Sequence, residues 1–377
     1  MGALEGTYGQ GRQVDAYDMP RAEDVAWLRV DVALPAAARS AAARLCHRLG
    51  FGARRTSEVA LAVTEAATNL QRHAGDGSLL LRLVRTPDEA ALEFLALDSG
   101  PGISDVAYSL RDGASSAGTL GVGLGTIARL ADSFGIHSLP GRGTVLTARF
   151  WPDRERGPHR PEPLVAGLTR PISGETVCGD AWAARPVATA DDGPGSVLVM
   201  MCDGLGHGPL ASRAGELAVE AFLGSTAGEP DEVLRLLHAA LRGGRGAAVG
   251  IARLDLATRR VRFCGAGNIS AYVIGEGRRR SLGSAPGIVG HQLPRLRVFE
   301  EVMAGVDGTL VLHSDGLTSR WEPNDFPGLF ALAPLTVAGQ IFNQAAVRRD
   351  DGGCGRGAGS LTGAVGAGPR VSTCGPR

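Results

Sequence analysis

The strongest constraint on this chain is an interruption. Between Asp153 and Glu162 it reads DRERGPHRPE, charged and Pro-rich with nothing to bury, and apolar periodic segments lie on either side. A chain of 377 residues also exceeds one ordinary core. The expected organisation is a disordered Gly-rich lead-in over 1–21, a first domain over 22–152 and a linker over 153–162. A second domain then spans 163–351, and a Gly-rich tail without periodicity covers 352–377.

In the first half, alternation predicts a strand over 26–34, and helical spacing predicts helices over 36–49 and from Thr56 or Ser57 to His73. Strands over 79–85 and 91–97, a helix over 124–132 and a strand over 144–151 follow. In the second half, short strands near 164–169, 177–185, 197–202, 247–255, 259–265, 270–275 and 309–314 surround helices near 208–223 and 231–242. Strand runs interrupted by paired helices predict an α+β layered class in both halves.

Composition narrows the chemistry. Basic and acidic side chains balance at 39 each, so no global field recruits nucleic acid or an anionic membrane. Every basic residue is Arg, because the sequence holds no Lys, so any nucleotide site must hold phosphates by backbone amides, Arg and a metal ion. Cys46, Cys178, Cys202, Cys264, Cys354 and Cys374 form no CxxC pair, which argues against structural zinc and a disulfide framework. No signal segment and no apolar run of about 18 residues is visible, and the expectation is a soluble cytoplasmic protein.

Four pieces of the first half belong together. In TEAATNLQRHA, Glu65, Asn69 and His73 share one helix face at i, i+4 and i+8. Asn69 offers an amide oxygen suited to Mg²⁺, and Glu65 could orient or deprotonate a nucleophile. In LDSGPGI, Asp98 could accept from an adenine amino group while Gly100 and Gly102 let the backbone approach the base. In GTLGVGLGTIARL, Gly121, Gly123 and Gly125 precede or open a helix whose N-terminus favours phosphate. GRGT places Thr144 on a closing strand beside the base. Each piece alone has a bland reading as a surface pair or a turn, and His73 reads better as a locally satisfied helix end.

Taken in order, these pieces resemble the boxes of the GHKL (Bergerat) ATP-binding fold over about 24–151, and within it the bacterial anti-sigma and switch serine kinases of stress signalling. The resemblance implies ATP with Mg²⁺, Glu65 as base, Asn69 on the metal and Asp98 on adenine.

The second half carries isolated Asp residues at the ends of apolar strands: CGDAW (Asp180), VMMCDGLGHG (Asp203, Gly204), VLHSDGLTS (Asp315) and RRDD (Asp350, Asp351). A lone Asp-Gly is usually a turn. Several buried carboxylates without a balancing cation instead favour hard divalent ions, and two such ions support in-line phosphoryl displacement. Cys178 and Cys202 read as buried fillers, and His207 as either a proton shuttle or a turn residue.

These motifs, with GETVCGDAW, GAGN and SDGLTSR, are similar to the metal-dependent serine/threonine phosphatase fold in its bacterial sporulation and stress-response (SpoIIE-like) branch, over about 164–351. The resemblance implies an α-β-β-α sandwich and a shell for two Mn²⁺ or Mg²⁺ ions from Asp180, Asp203, the Gly204 carbonyl, Asp315 and Asp350. It implies an activated water as nucleophile, not Cys178 or a serine. One departure is that RDD runs into GGCGRGAGS where the family has a closing strand. The expectation is a frameshifted tail, an open sheet edge and a weakened phosphatase.

The combined expectation is a bifunctional regulator. It would phosphorylate and dephosphorylate Ser/Thr on a STAS-type anti-sigma-factor antagonist or related phosphoprotein, with a sigma factor as a further possible partner and no nucleic acid or membrane. The rival is an ATP-gated partner-switching binder without turnover.

Overall fold

The computed structural model describes residues 21–86, 89–111, 123–153, 162–172, 175, 177–187, 195–305, 308–346 and 360–366. The first half builds one sheet from β1 (Arg21–Arg29), β2 (Gly77–Arg85), β3 (Ala90–Asp98), β4 (Ser133–Leu139) and β5 (Gly143–Phe150). Its helices are α1 (Leu34–Arg48), α2 (Ala53–His73), the single turn α3 (Val106–Ser109) and α4 (Gly123–Leu130). The strand order is β1-β2-β3-β5-β4. Every pairing is antiparallel, so the sheet is antiparallel throughout.

The central strands β2, β3 and β5 are buried on both faces, and their alternation says against what. Leu79, Leu81, Leu83, Leu92, Phe94, Ala96, Leu146, Ala148 and Phe150 pack with Val59, Val63, Ala66 and Leu70 of α2. Leu80, Leu95, Leu97 and Val145 point the other way, into a core shared with the second half. Each such leucine withdrawn from water contributes about 1.5–3 kcal/mol.

The second half forms two stacked sheets. One is β13-β10-β9-β8-β7, from β7 (Asp180–Val187), β8 (Ser196–Gly204), β9 (Ala247–Asp255), β10 (Arg260–Ala266) and β13 (Phe299–Val302). The other is β12-β11-β14-β15-β6, from β6 (Val165–Arg170), β11 (Ser270–Gly275), β12 (Arg278–Leu282), β14 (Thr309–His313) and β15 (Ser360–Gly366). Period-two alternation again divides the cores. Val197, Val199 and Met201 face the other sheet. Leu198, Met200 and Cys202 face α5 (Pro209–Leu223) and α6 (Pro230–Ala240).

The last helix, α7 (Pro334–Ala345), is the element that joins the halves. Val337, Ala338, Ile341, Phe342 and Ala345 pack with Tyr272, Ile274 and Val311 on one side and with Leu80, Leu95 and Val145 on the other. The layers therefore run helices, sheet, α7, sheet, sheet, helices, and the last four make the α-β-β-α sandwich.

Two sequence expectations change here. The strand expected over 26–34 is Arg21–Arg29, because Leu34 already starts α1 with Pro35 in its first turn. The expected open edge is also absent. Ser360–Gly366 pairs antiparallel with both β14 and β6, so SLTGAVG fills the gap between them.

Buried charges reinforce the junction. Arg82, 1% exposed, pairs with Asp24 at 3.1 Å and lies 3.7 Å from Glu93. Arg149 holds Glu93 at 2.6 Å. Arg82 also donates to the Gly167 carbonyl at 2.9 Å, Trp27 Nε1 donates to Thr169 O at 2.8 Å, and Asp24 Oδ2 accepts Thr169 N–H at 2.9 Å. Burial lifts the Asp24 carboxyl above its usual range even with Arg82 beside it.

Candidate functional sites

In the first half, the described candidate residues fall into two groups, one on the helices and one at the end of β3. The i, i+4 spacing on α2 puts Glu65 and Asn69 on one face, and α4 begins opposite them. A Cβ on Gly123 would lie 3.3 Å from Glu65 Oε2 and 3.4 Å from Asn69 Nδ2, so the helix start abuts both. Gly125 is buried two residues along, and Gly121 lies outside the described residues.

Asp98 ends β3. Its Oδ1 accepts the Gly100 N–H at 2.8 Å, and the Thr144 N–H also supports the carboxylate. Burial nevertheless outweighs these donors and raises its pKa. The Thr144 hydroxyl lies 2.8 Å from Ser138 Oγ. Gly102 adopts a positive φ against the Leu139 carbonyl, while His73 is an exposed helix-end residue whose carbonyl abuts Gly100. Asp98, Gly100, Gly102 and Thr144 thus surround one end of the β3–β5 pair, with Glu65, Asn69 and Gly123 forming a second group on the helix side.

In the second half, β7 and β8 place Asp180 directly across from Asp203. Asp315 follows β14, and the exposed Asn268 amide links it to the strands, donating to Asp315 Oδ2 at 2.7 Å and to Asp203 Oδ2 at 3.4 Å. Ser314 Oγ donates to Asp180 Oδ2 at 2.8 Å. Burial and the Asp203 charge push Asp180 well above the carboxylate range. Burial and the Asp315 charge push Asp203 up to about 6. Gly204 stands where Ala211 and Gly179 leave no room for a side chain.

These carboxylates fit a divalent cation chemically: oxygen donors, mutual repulsion and no arginine among their described partners. Among the described residues, no group of three or more His, Cys, Asp and Glu side chains is placed so that it could hold a metal ion. Asp350 and Asp351 lie outside the described residues.

Asn268 and Ser314 are the residues that sequence reasoning did not single out. GAGN and the Ser before Asp315 were the available signals. His207 bonds Glu175 at 2.7 Å through Nδ1, a pairing that sequence order does not reveal. Cys178 donates to Arg170 O, and burial with the neighbouring Asp180 lifts its thiol to about 12, consistent with a filler and not a nucleophile.

Residues 28–150 match the model of the histidine kinase-like ATPase domain. The chain is 36% identical over 115 residues to the serine/threonine-protein kinase RsbT of Bacillus subtilis (strain 168), a stretch covering 30% of this chain and 86% of that kinase. The chain belongs to the RsbT-like kinase family. To this RsbT-like half is joined a second domain, since residues 193–346 match the stage II sporulation protein E (SpoIIE) family.

Among solved structures, one from work on the bacterial stressosome as a modular system controlling secondary messenger signalling is 26% identical, with a TM-score of 0.46, covering 55% of this chain and 100% of its own. The PP2C phosphatase domain of SpoIIE from Bacillus subtilis, with a fragment of its regulatory domain, is 13% identical with a TM-score of 0.41, covering 72% and 79%. RsbX in complex with magnesium is 14% identical with a TM-score of 0.42, covering 53% and 94%. No helix among the described residues is long and apolar enough to cross a membrane.

Proposed function

We propose that the chain is a bifunctional phosphoswitch regulator, adding phosphate to Ser or Thr of a STAS-type anti-sigma-factor antagonist and removing it from the same or a related protein. The observation that carries this reading is the cluster of Asp180, Asp203 and Asp315 in a chain whose other half sets Glu65 and Asn69 against a helix start. Phosphate addition and phosphate removal need different sites, and both sets of residues occur here.

In the first half, Asp98 and Thr144 orient the adenine and the start of α4 faces the phosphates. Asn69 would hold Mg²⁺, which neutralises phosphate charge when bound. Glu65, on the same helix face, accepts the proton of the attacking hydroxyl. In the second half, Asp180, Asp203, the Gly204 carbonyl, Asp315 and Asp350 would hold Mn²⁺ or Mg²⁺, which polarises the phosphoryl group and activates water when bound. Ser314 fixes the Asp180 carboxylate, and Asn268 restrains Asp203 and Asp315 without adding charge.

The test uses purified protein, labelled ATP with Mg²⁺ and a panel of STAS-type antagonist proteins. The expected result is label on Ser or Thr, abolished by Asn69→Ala, and its removal on adding Mn²⁺, abolished by Asp203→Asn. ATP-dependent capture of a partner without any transfer would overturn the kinase assignment in favour of a binding module.

A further inference from the structure

The two candidate sites share one structural element. The last β3–β5 pair is Leu97↔Val145, and beyond it the Asp98 carbonyl accepts Asn343 Nδ2 of α7 at 2.7 Å. Gly143 has φ 96°, and a Cβ there would come within 1.9 Å of the same carbonyl, so the chain is pressed against this point from the other side. Gln344 and Arg142 exchange hydrogen bonds at 2.6 and 3.1 Å beside it.

The next residues of the same helix end hold the segment that follows Asp315. Thr318 N–H donates to Ala345 O at 2.8 Å, and Leu317 bridges Ala346. The segment so held, Leu317–Thr318, begins two residues after Asp315.

Four consecutive residues, Asn343 to Ala346, thereby connect the adenine-side Asp98 to the loop of an acidic-site ligand. The helix has little slack to absorb movement. A Cβ on Gly339 would be 3.0 Å from Val145 and 3.1 Å from Leu95, and Ile341 and Phe342 are fully buried between the two sheets. Closely packed interiors transmit displacement and do not damp it.

We infer that the last turn of α7 couples the two sites, with Asn343 as a positioning residue, so that nucleotide at Asp98 and metal at the Asp203–Asp315 cluster alter each other's affinity. This rests on the function proposed above. Linkage requires the effect to be reciprocal: whatever factor the nucleoside exerts on the metal, the metal exerts on the nucleoside.

The experiment uses the full chain, with adenosine as a probe that engages the base site without carrying a metal. Free Mn²⁺ is followed by electron paramagnetic resonance with and without adenosine, and adenosine affinity by calorimetry with and without Mn²⁺. The expected result is a change of about fivefold or more, equal in both directions. Asn343→Ala, and Asn343→Asp as a same-size variant without the donor, bring the ratio to about one while each ligand binds alone as before. Gln344→Ala, which removes only side-chain bonds to Arg142, keeps the coupling.

Both ligands binding with no mutual effect, or a coupling that survives both Asn343 variants, overturns this inference and leaves the two sites standing. Failure of adenosine or of Mn²⁺ to bind at all overturns the corresponding site, and the coupling with it.

Discussion

Asn268 donates to Asp315 at 2.7 Å and reaches Asp203 at 3.4 Å, so a neutral amide is the described contact between two carboxylates that repel each other. Replacing it by a fourth acid beside Asp180, Asp203 and Asp315 shows what the cluster is for. In chelator, Asn268→Asp should lower the melting temperature by a few degrees or more, because the added charge has no counterion. Saturating Mn²⁺ should narrow that deficit. A deficit unchanged by Mn²⁺ would count against cation binding at these carboxylates.

Arg82 makes a second test, this time of stability. It is 1% exposed and serves Asp24, Glu93 and the Gly167 carbonyl, while Glu93 keeps Arg149. Arg82→Met should cost about 3–5 kcal/mol in urea unfolding, chiefly because it strands Asp24. Adding Asp24→Asn should recover a large part of that loss. A double variant no more stable than the single one would contradict this account.

The thiols predict a chemical silence. Burial lifts Cys46 and Cys178 to about 12 and Cys264 to about 11, and raises Cys202 further still. An ordinary exposed thiol ionises near about 8.5 and alkylates faster as pH rises through that value. Peptide-resolved iodoacetamide labelling of the native protein should find these four slow and nearly unchanged between pH 7 and 9. Rapid labelling of Cys178 would revive it as a reactive group.

The helix that joins the halves can be loosened away from either site. A Cβ on Gly135 would fall 2.4 Å from Thr336 Oγ1 and 2.6 Å from Thr147 Oγ1, where the two hydroxyls already touch at 3.1 Å. Gly135→Val should destabilise the protein by about 1–3 kcal/mol through overpacking. Differential scanning calorimetry decides it, and a variant as stable as wild type would show that α7 shifts freely on the first sheet.

Deleting residues 360–377 addresses the tail directly. If β15 closes its sheet, the truncated protein leaves β14 and β6 facing each other across an empty position. Aggregation or loss of cooperative unfolding is expected. A truncated protein that melts like wild type would restore the expectation of an open sheet edge.

Local pattern carried much of this architecture, and the failures have physical causes. The stripe Val59, Ala62, Val63, Ala66 and Leu70 announced α2, and SVLVMMC announced β8, because each buries a face with its own period. Helix α7 escaped notice because Thr336 and Gln340 are buried along with Leu335, Val337 and Ile341. A helix covered on both sides shows no polar stripe to read. Strands β4, β12 and β13 are short or polar edges whose identity depends on a partner strand far away in sequence. In the sites, the motif residues were legible one by one. Asn268 with Asp315, and Asn343 with Asp98, are contacts made by folding over long sequence separations.

The shared core has a bearing on how the protein is made. Leu80, Leu95, Leu97 and Val145 leave the ribosome early, yet the helix that covers them is encoded near the opposite end of the chain. Until Pro334–Ala345 emerges, the nascent kinase half presents a greasy surface to the cell, a condition that invites chaperones and premature self-association. A first half expressed alone would inherit that exposed surface permanently, so the order of synthesis itself favours keeping the two halves in one polypeptide.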